Sequence, residues 1–585
     1  MNAAPNFVRR PLWLLVPAAL VAALLMPAVS SQAAPGKAPE KPKPKFTSAA
    51  AFDVSPPLRD LAKAATSPKG LPDEPDEADL DRNLPSDAPG GSSPDGALQS
   101  AAATAAIPGT QTNFEGLSNQ DNFNVLGGRV NPPDPNGEVG PNHYVEMVNL
   151  VFAVYSKTGA KLLGPVEIGT LWNNFPVDEC TERSGDPVVM YDQVADRWIL
   201  TQFTTRGIDF PNEPLDKIYN CVAISTSPDP TGSYYRYAFT TGFNFPDYPK
   251  YGVWRDSYII TTREFGVLDP NFYGIGVYGL ERNKMIEGDP AARAVSFVLD
   301  SSVVPLNLIG DGLLPPDVDG KTKPKNDAPA PIVGTQDDNA PYGATFDALN
   351  IWDFDVKWRS TPTASIVLKA QLPVAEFDSV FPCVGGFGSR DCLPQPGITN
   401  TAQYLDILSY RQRPTFRLAY RNLGTSESLL TNQSVEALPG VAGVRWYEIR
   451  RTNGVYSVRQ QGTYAPADGV HRWMGSIAAD KNGNVGLGYS VVNGTTVFPG
   501  IRYTGRMASD PLGQMTLGEG TIVNGTAAQT TANSRWGDYT DMTVDPVDDC
   551  TFWYVNEYYT VASAASAPNG NGWTTRIASF KLPGC

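Results

Sequence analysis

Histidine is almost absent from this chain: His143 and His471 are the only two among 585 residues. There is also no HExxH, CxxC, GxSxG or Walker loop. A multi-histidine zinc site, an α/β-hydrolase elbow and a P-loop are thereby set aside. Charge is sparse too. Only 18% of residues are charged, and the net charge of -15 argues against nucleic acid or an anionic membrane as partner, a local basic pocket aside. Long stretches with the apolar period of 3.6 are missing, whereas Gly (54) and Pro (52) are abundant. That combination excludes a helical protein and points to a chain that is mostly β.

One long apolar run exists, from Leu12 to Val29, preceded by Arg9 and Arg10 and closed by Ser31-Gln32-Ala33. Residues 1–34 therefore read as an export signal. A membrane anchor is the rival reading, but Pro17 and Pro27 interrupt the run. From 35 to about 110 the composition is Pro, Ala, Ser, Lys and acidic, the signature of a disordered tether that could be removed without harm. Residues 111–585 are then the folded part, expected to be extracellular, soluble and monomeric. Six cysteines in an exported chain imply three disulfides, with 15 pairings open by spacing alone. Hairpin geometry pairs Cys550 with Cys585, the short Gly-rich loop pairs Cys383 with Cys392, and Cys180 and Cys221 are left for each other.

The folded part repeats one layout: a small or cyclic residue, an Asp, a short strand, a turn and a second strand. It occurs at Asp134, Asp186, Asp247 and Asp538, with related starts at Trp473 and near Leu405 and Pro331. A second hairpin usually follows, as in VRWYEIRRTNGVYSVRQQGTY with Asn453-Gly454 as its turn. Four-stranded antiparallel units repeated in this way make a β-propeller, with seven blades expected and six as the alternative because the unit at 331–375 is irregular. The last unit supplies only three strands before Cys585. The segment Thr112 to Leu126 has no unit of its own and is expected to complete that blade at its outer edge.

Two turns carry a resemblance. Thr543-Val-Asp545 with Trp553, and Ala478-Ala-Asp480-Lys-Asn-Gly483, look like the Asp-box turns of sialidase-like propellers, although Asp548 stands near the expected Gly in the first and Leu487 replaces Trp in the second. Residues 130–585, with RWMGSIAADKNGN and RWGDYTDMTVDP, resemble a group of exported bacterial propeller proteins that mostly lack an assigned activity. The resemblance implies fold and export.

If Asp134, Asp186, Asp247 and Asp538 each open an innermost strand, the fold gathers them at one end of the central channel. There they would repel one another unless protonated, paired with Arg or bound to a cation. Arg472-Trp473 and Arg535-Trp536 occupy the matching positions of two later blades, with His471 adjacent. Carboxylates for acid, base or nucleophile (Asp538, Asp186, Asp247, with His471 as an alternative base) and Arg472, Arg535, Trp473, Trp536 and Asp134 for holding a substrate suit a polysaccharide. The expected activity is that of a glycoside hydrolase or polysaccharide lyase acting on an extracellular glycan, the competitor a non-catalytic binding or scaffold propeller. Structurally the same residues would be strand caps, local ion pairs and blade packing. Asp480-Lys-Asn482-Gly-Asn484 and Asp134-Pro-Asn136-Gly-Glu138 have the alternating oxygens of calcium loops without the rest of an EF-hand, so the cofactor expectation is either calcium or none. Gly274-Ile-Gly276-Val-Tyr-Gly279 matches GxGxxG but lies in an alternating strand with no helix after it, which argues for strand packing and against a dinucleotide.

Overall fold

Seven β-sheets arranged as the blades of a propeller account for most of the chain, seen here in a computed structural model. It describes residues 41–64, 95–101, 103–205, 217–269, 271–386, 389–407 and 412–585. The expected signal at 1–34 lies outside them, and among the described residues no helix is long and apolar enough to cross a membrane.

Blade one runs Asn136–Val139, His143–Val148, Val151–Ser156, Lys161–Glu167 from the channel outward. Blades two and three begin with Val189–Asp192 and Asn244–Val253, six with His471–Ala479 and seven with Asp541–Val544. Blade four is the irregular one. It holds only Ala330–Gln336, Ala348–Lys357 and Thr363–Pro373, with Leu314 bridging Val333 on the inner side. The chain then leaves it as Pro316–Asp319, which pairs in parallel with Thr415–Asn422 of blade five. The irregularity read at 331–375 is thus a strand lent to the next blade, and the count is seven. Asn453 and Gly454, both at positive φ, turn the hairpin between Val441–Thr452 and Val455–Tyr464, the two-residue geometry that Asn-Gly favours.

Ring closure follows the expected route. Thr112–Ser118 pairs antiparallel with Trp573–Lys581 as the outer strand of blade seven, from Thr112 opposite Ser579 to Ser118 opposite Thr574. Three disulfides join Cys180 to Cys221, Cys383 to Cys392 and Cys550 to Cys585, with Cα separations of 6.0, 4.1 and 5.6 Å. The glycines of 274–279 lie inside Tyr273–Glu281, where a Cβ on Gly276 would strike Glu264 and Thr262, and one on Gly279 would strike Phe354. Close packing explains the motif.

The expected tether is corrected in part. Lys45–Ser48 adds a fifth strand to blade three and Ala51–Val54 a fifth to blade two. Phe46 packs edge-on against Trp358, Phe52 lies 4.8 Å from Tyr237, and Asp53 pairs with the buried Arg236. Further along, Asp95 meets Arg445 at 2.7 Å with both side chains wholly buried, and Leu98 and Ala105 bridge to blades five and six. Two aromatics and two acids at the right spacing outweigh the Pro-rich average that hid them. Removing residues 41–64 should therefore bare the outer edges of blades two and three, lower the melting temperature by several degrees and promote aggregation. An unchanged melting temperature and a monomeric elution profile would show that these strands contribute nothing.

A buried carboxyl marks the closing seam. Glu146 of blade one accepts from the Leu117 N–H at 2.9 Å and from the Thr575 hydroxyl, so it ties the first blade to the two outer strands of the last. Burial pushes its pKa up to about 7, and the Thr575 and Leu117 bonds hold it back. Glu264 and Asp347 are likewise raised to about 7, mainly by burial. The folded state thus binds more protons than the unfolded one between pH ~4.5 and ~7. These groups stabilise fully below the unfolded pKa, and that contribution is lost as pH rises through 7. His471, lowered to about 4 by burial, works in the opposite direction over pH 4 to 6.5. Glu146→Gln should accordingly flatten the fall in melting temperature between pH 5 and 8, measured by scanning calorimetry; an unaltered slope would contradict the assignment.

Candidate functional site at the channel mouth

Five of the seven inner strands carry the same backbone device at or just before their channel-mouth end. Asp134, Asp186, Tyr248, Gln412 and Met474 all have positive φ, at 47°, 41°, 53°, 38° and 49°. In blades three, five and six the register slips at this level, between Asp247 and Lys250, Thr415 and Ala419, and Trp473 and Ser476. Such bulges re-aim the side chains next to them, and non-glycine residues held at positive φ store strain that the surrounding structure must fix. Here they turn side chains toward the channel mouth.

The four aspartates do converge. The Asp538 N–H donates to Asp134 Oδ1 (2.7 Å), and Asn149 Nδ2 donates to Asp134 Oδ2 (2.6 Å). Asn149 Oδ1 accepts from the Asp186 N–H (2.9 Å), and the Tyr539 hydroxyl bonds Asp186 Oδ2 (3.1 Å). Asp247 pairs with Arg263 (3.1 Å), which also meets Asp311 (3.1 Å), while Asp538 pairs with Arg535 (3.1 Å). Glu557 lies underneath and accepts from the Gly537 N–H (2.6 Å). Asp134, Asp247 and Asp538 are buried; Asp186 is partly exposed.

Lys250 sits at the centre. Its Nζ lies 3.1 Å from the ring centroid of Tyr248 and 3.2 Å from that of Tyr539, and makes no hydrogen bond. The Arg413 guanidinium covers Tyr248 at 3.7 Å. Burial pulls the Lys250 pKa well down; Asp186 pulls it back up, Arg413 adds to the lowering, and Asp538 and Asp134 again oppose it. Asp186 is pushed well up by burial and then by Asp134, Asp247 and Asp538, with Lys250 opposing. The sequence reading missed Lys250, Tyr248, Tyr539, Arg413, Arg263 and Asp311. A lysine three residues after the marker Asp247, in an otherwise uncharged inner strand, was the available signal.

A second charged layer lies three to four residues further down the strands, roughly 10–13 Å by strand rise. Arg417 donates to Asp317 (2.9 Å from Nε) and to Asp319 (3.1 Å from Nη1), with Glu138 and Asp541 alongside.

Other expected site residues sit elsewhere. Arg472 is fully buried and held by Asp468 (2.8 Å) and Glu519 (2.8 Å) within blade six. His471 Nδ1 accepts from the Ala442 N–H (3.3 Å), and its ring meets Phe381 edge-on. Trp473 and Trp536, 0% and 1% exposed, pack on each other at 5.0 Å, so neither offers a face to a sugar. Arg535 remains at the mouth through Asp538. Of the two expected calcium loops, that at 480–484 is a closed turn in which Asp480 Oδ1 accepts from the N–H groups of Asn482 and Asn484. Asp545 likewise accepts from the Val547 N–H (3.0 Å) and from the Trp553 indole (3.3 Å). The carboxylates of Asp337 and Asp347 cluster with that of Asp338, yet they already accept from the N–H groups of Ser379, Asn339, Asp338 and Phe377.

What fold and site define is a seven-bladed propeller with a carboxylate-lined channel. No protein-family model matches the chain, and no curated protein matches it in sequence. Solved structures similar to it include an endo-arabinase from Bacteroides thetaiotaomicron (13% identity, 56% of this chain and 95% of that one, TM-score 0.26) and a GH93 alpha-L-arabinofuranosidase of Fusarium graminearum (11%, 58% and 98%, 0.26). A Trypanosoma rangeli sialidase is similar at 9% identity, over 77% of this chain and 58% of that one, with a TM-score of 0.28. Superpositions this loose carry no argument about the activity of this chain.

Proposed function

We propose that this chain is an exported propeller that acts on an extracellular glycan at its channel mouth, cleaving a glycosidic bond with Asp186 as the general acid. The observation that carries the reading is the asymmetry among the four aspartates. Three are buried and held in place, whereas Asp186 is partly exposed and has its pKa pushed well up by burial and then by its three neighbours. A carboxyl whose pKa is raised by its surroundings is what protonation of a leaving-group oxygen needs. Tyr539 orients it, and Lys250 tunes it from below. Asp538, oriented by Arg535, takes the second carboxylate role.

A second reading has its own support. Asp134, Asp247 and Asp538 are buried, and Trp473 and Trp536 are committed to packing, which suits a binding or scaffold propeller in which the acids fix the channel. Incubating the purified chain with a polysaccharide panel separates the two. Release of reducing ends or unsaturated sugars is expected, with Asp186→Asn losing about 100-fold or more of the rate while its melting curve stays cooperative. Saturable glycan binding without any product would establish the binding reading.

A further inference from the structure

The far end of the channel carries a pocket that the mouth does not use. The inner strand Asn244–Val253 of blade three runs away from the mouth and turns at Trp254, whose N–H bonds the Ser257 carbonyl (3.0 Å). Beside this turn lies a cavity of about 190 Å³. Its floor is apolar and buried, made by Val253, Val318 and Pro324 with Trp254. Its rim is exposed, with Val194 on one side and Arg255 and Lys323 on the other.

Charge at this rim is only partly compensated. Arg282, which also lines the cavity, is held by Asp192 through Nε (2.6 Å) and Nη2 (2.9 Å). Arg255 and Lys323 have no such partner: neither forms an ion pair among the described residues, nor do Lys321 and Lys325 in the same loop. The acid of the lining, Asp256, accepts from the Ser257 hydroxyl (3.1 Å) and is drawn on by Lys357. A cationic rim is thus kept in a chain whose net charge is -15. Its backbone is fixed, because Asn422 Nδ2 donates to the Lys323 carbonyl (2.6 Å) and Arg255 Nη1 to that of Pro324 (3.4 Å).

An apolar recess with cations at its entrance recognises a carboxylate carried on an apolar body, since the body leaves water while the charge stays at the rim. A sugar finds less here. Trp254 is 2% exposed and gives its indole N–H to the Ala328 carbonyl, so it offers no face on which a ring could stack. We propose that this pocket binds a small amphipathic carboxylic acid, its aliphatic body seated on Val253, Val318 and Pro324 and its carboxylate held by Arg255 and Lys323. A recess slightly larger than the ~150 Å³ that accommodates a benzene takes a branched body of about five or six carbons. A free acid and the last residue of a peptide present the same chemistry. The inference is independent of the glycan reading of the mouth.

Calorimetric titration of the purified chain tests this with 4-methylpentanoate, its amide, acetate, and an N-acetylated tripeptide ending in leucine with its carboxyl free or amidated. Saturable binding at one site with a Kd below about 1 mM is expected for the free acid, the free-carboxyl peptide or both, and the tighter of the two identifies the source. Acetate and both amides should bind at least tenfold more weakly, and Arg255→Ala and Lys323→Ala should each cost about fivefold or more. Val194→Trp, at an exposed position, should leave the melting curve unchanged and block the pocket. Absence of saturation by either carboxylate up to about 10 mM would overturn the proposal. Equal affinity for acid and amide, or an affinity that Val194→Trp leaves intact, would overturn it as well.

Discussion

Carboxylates crowded into a space with little water are the constraint around which this molecule is built. At the mouth, Asp134, Asp186, Asp247, Asp538 and Asp311 face Lys250, Arg263, Arg413 and Arg535; lower down, Asp317, Asp319, Glu138 and Asp541 face Arg417. Buried charge survives only when paired or neutralised. Apart from Arg535 and Asp538, three residues apart on one segment, these pairs join different strands or segments, as Asp247 with Arg263 and Arg417 with Asp317 and Asp319 do. The two tyrosine faces around Lys250 serve the same end, giving a desolvated ammonium an electrostatic partner on either side.

Closure of the ring uses the chain end in more places than the outer strand of blade seven. The segment before Thr112 lies along blades three and two, then five and six, before it reaches the seventh. It contributes hydrogen bonds to outer edges that would otherwise be free, and anchors them with Asp53 on Arg236 and Asp95 on Arg445. Edges of long β-sheets invite pairing with other chains, and a protein of seven blades has seven of them to manage. The mouth of the channel is thereby left as the surface on which function can vary.

Much of this was legible in the sequence because the repeat unit carries its own marker. The Asp that follows a Gly or Pro marked the inner-strand positions, the missing fourth strand pointed to the closing segment, and hairpin geometry paired Cys550 with Cys585, the short Gly-rich loop Cys383 with Cys392, and elimination Cys180 with Cys221. Reasoning from alternation cannot see a bulge. The slips at Asp247 to Lys250 and at Trp473 to Ser476 decide which side chains enter the channel, and they turned Lys250 inward while leaving Trp473 in the core. Arg472 and His471 do open the inner strand of blade six, but their side chains are taken up within the protein, Arg472 by Asp468 and Glu519 and His471 by the Ala442 N–H. Phe46 and Phe52 were hidden by the prolines around them, since composition averages over just the positions that alternation would have picked out.

The central claim is that Lys250 and the aspartates at the mouth form one coupled charge centre. A double-mutant cycle on Lys250→Met and Asp186→Asn, followed by chemical denaturation at pH 7, addresses it most directly. The account predicts that Lys250→Met is strongly destabilising alone and that Asp186→Asn recovers part of the loss, with an interaction energy above about 1 kcal/mol. Additivity of the two substitutions to within about 0.5 kcal/mol would contradict it.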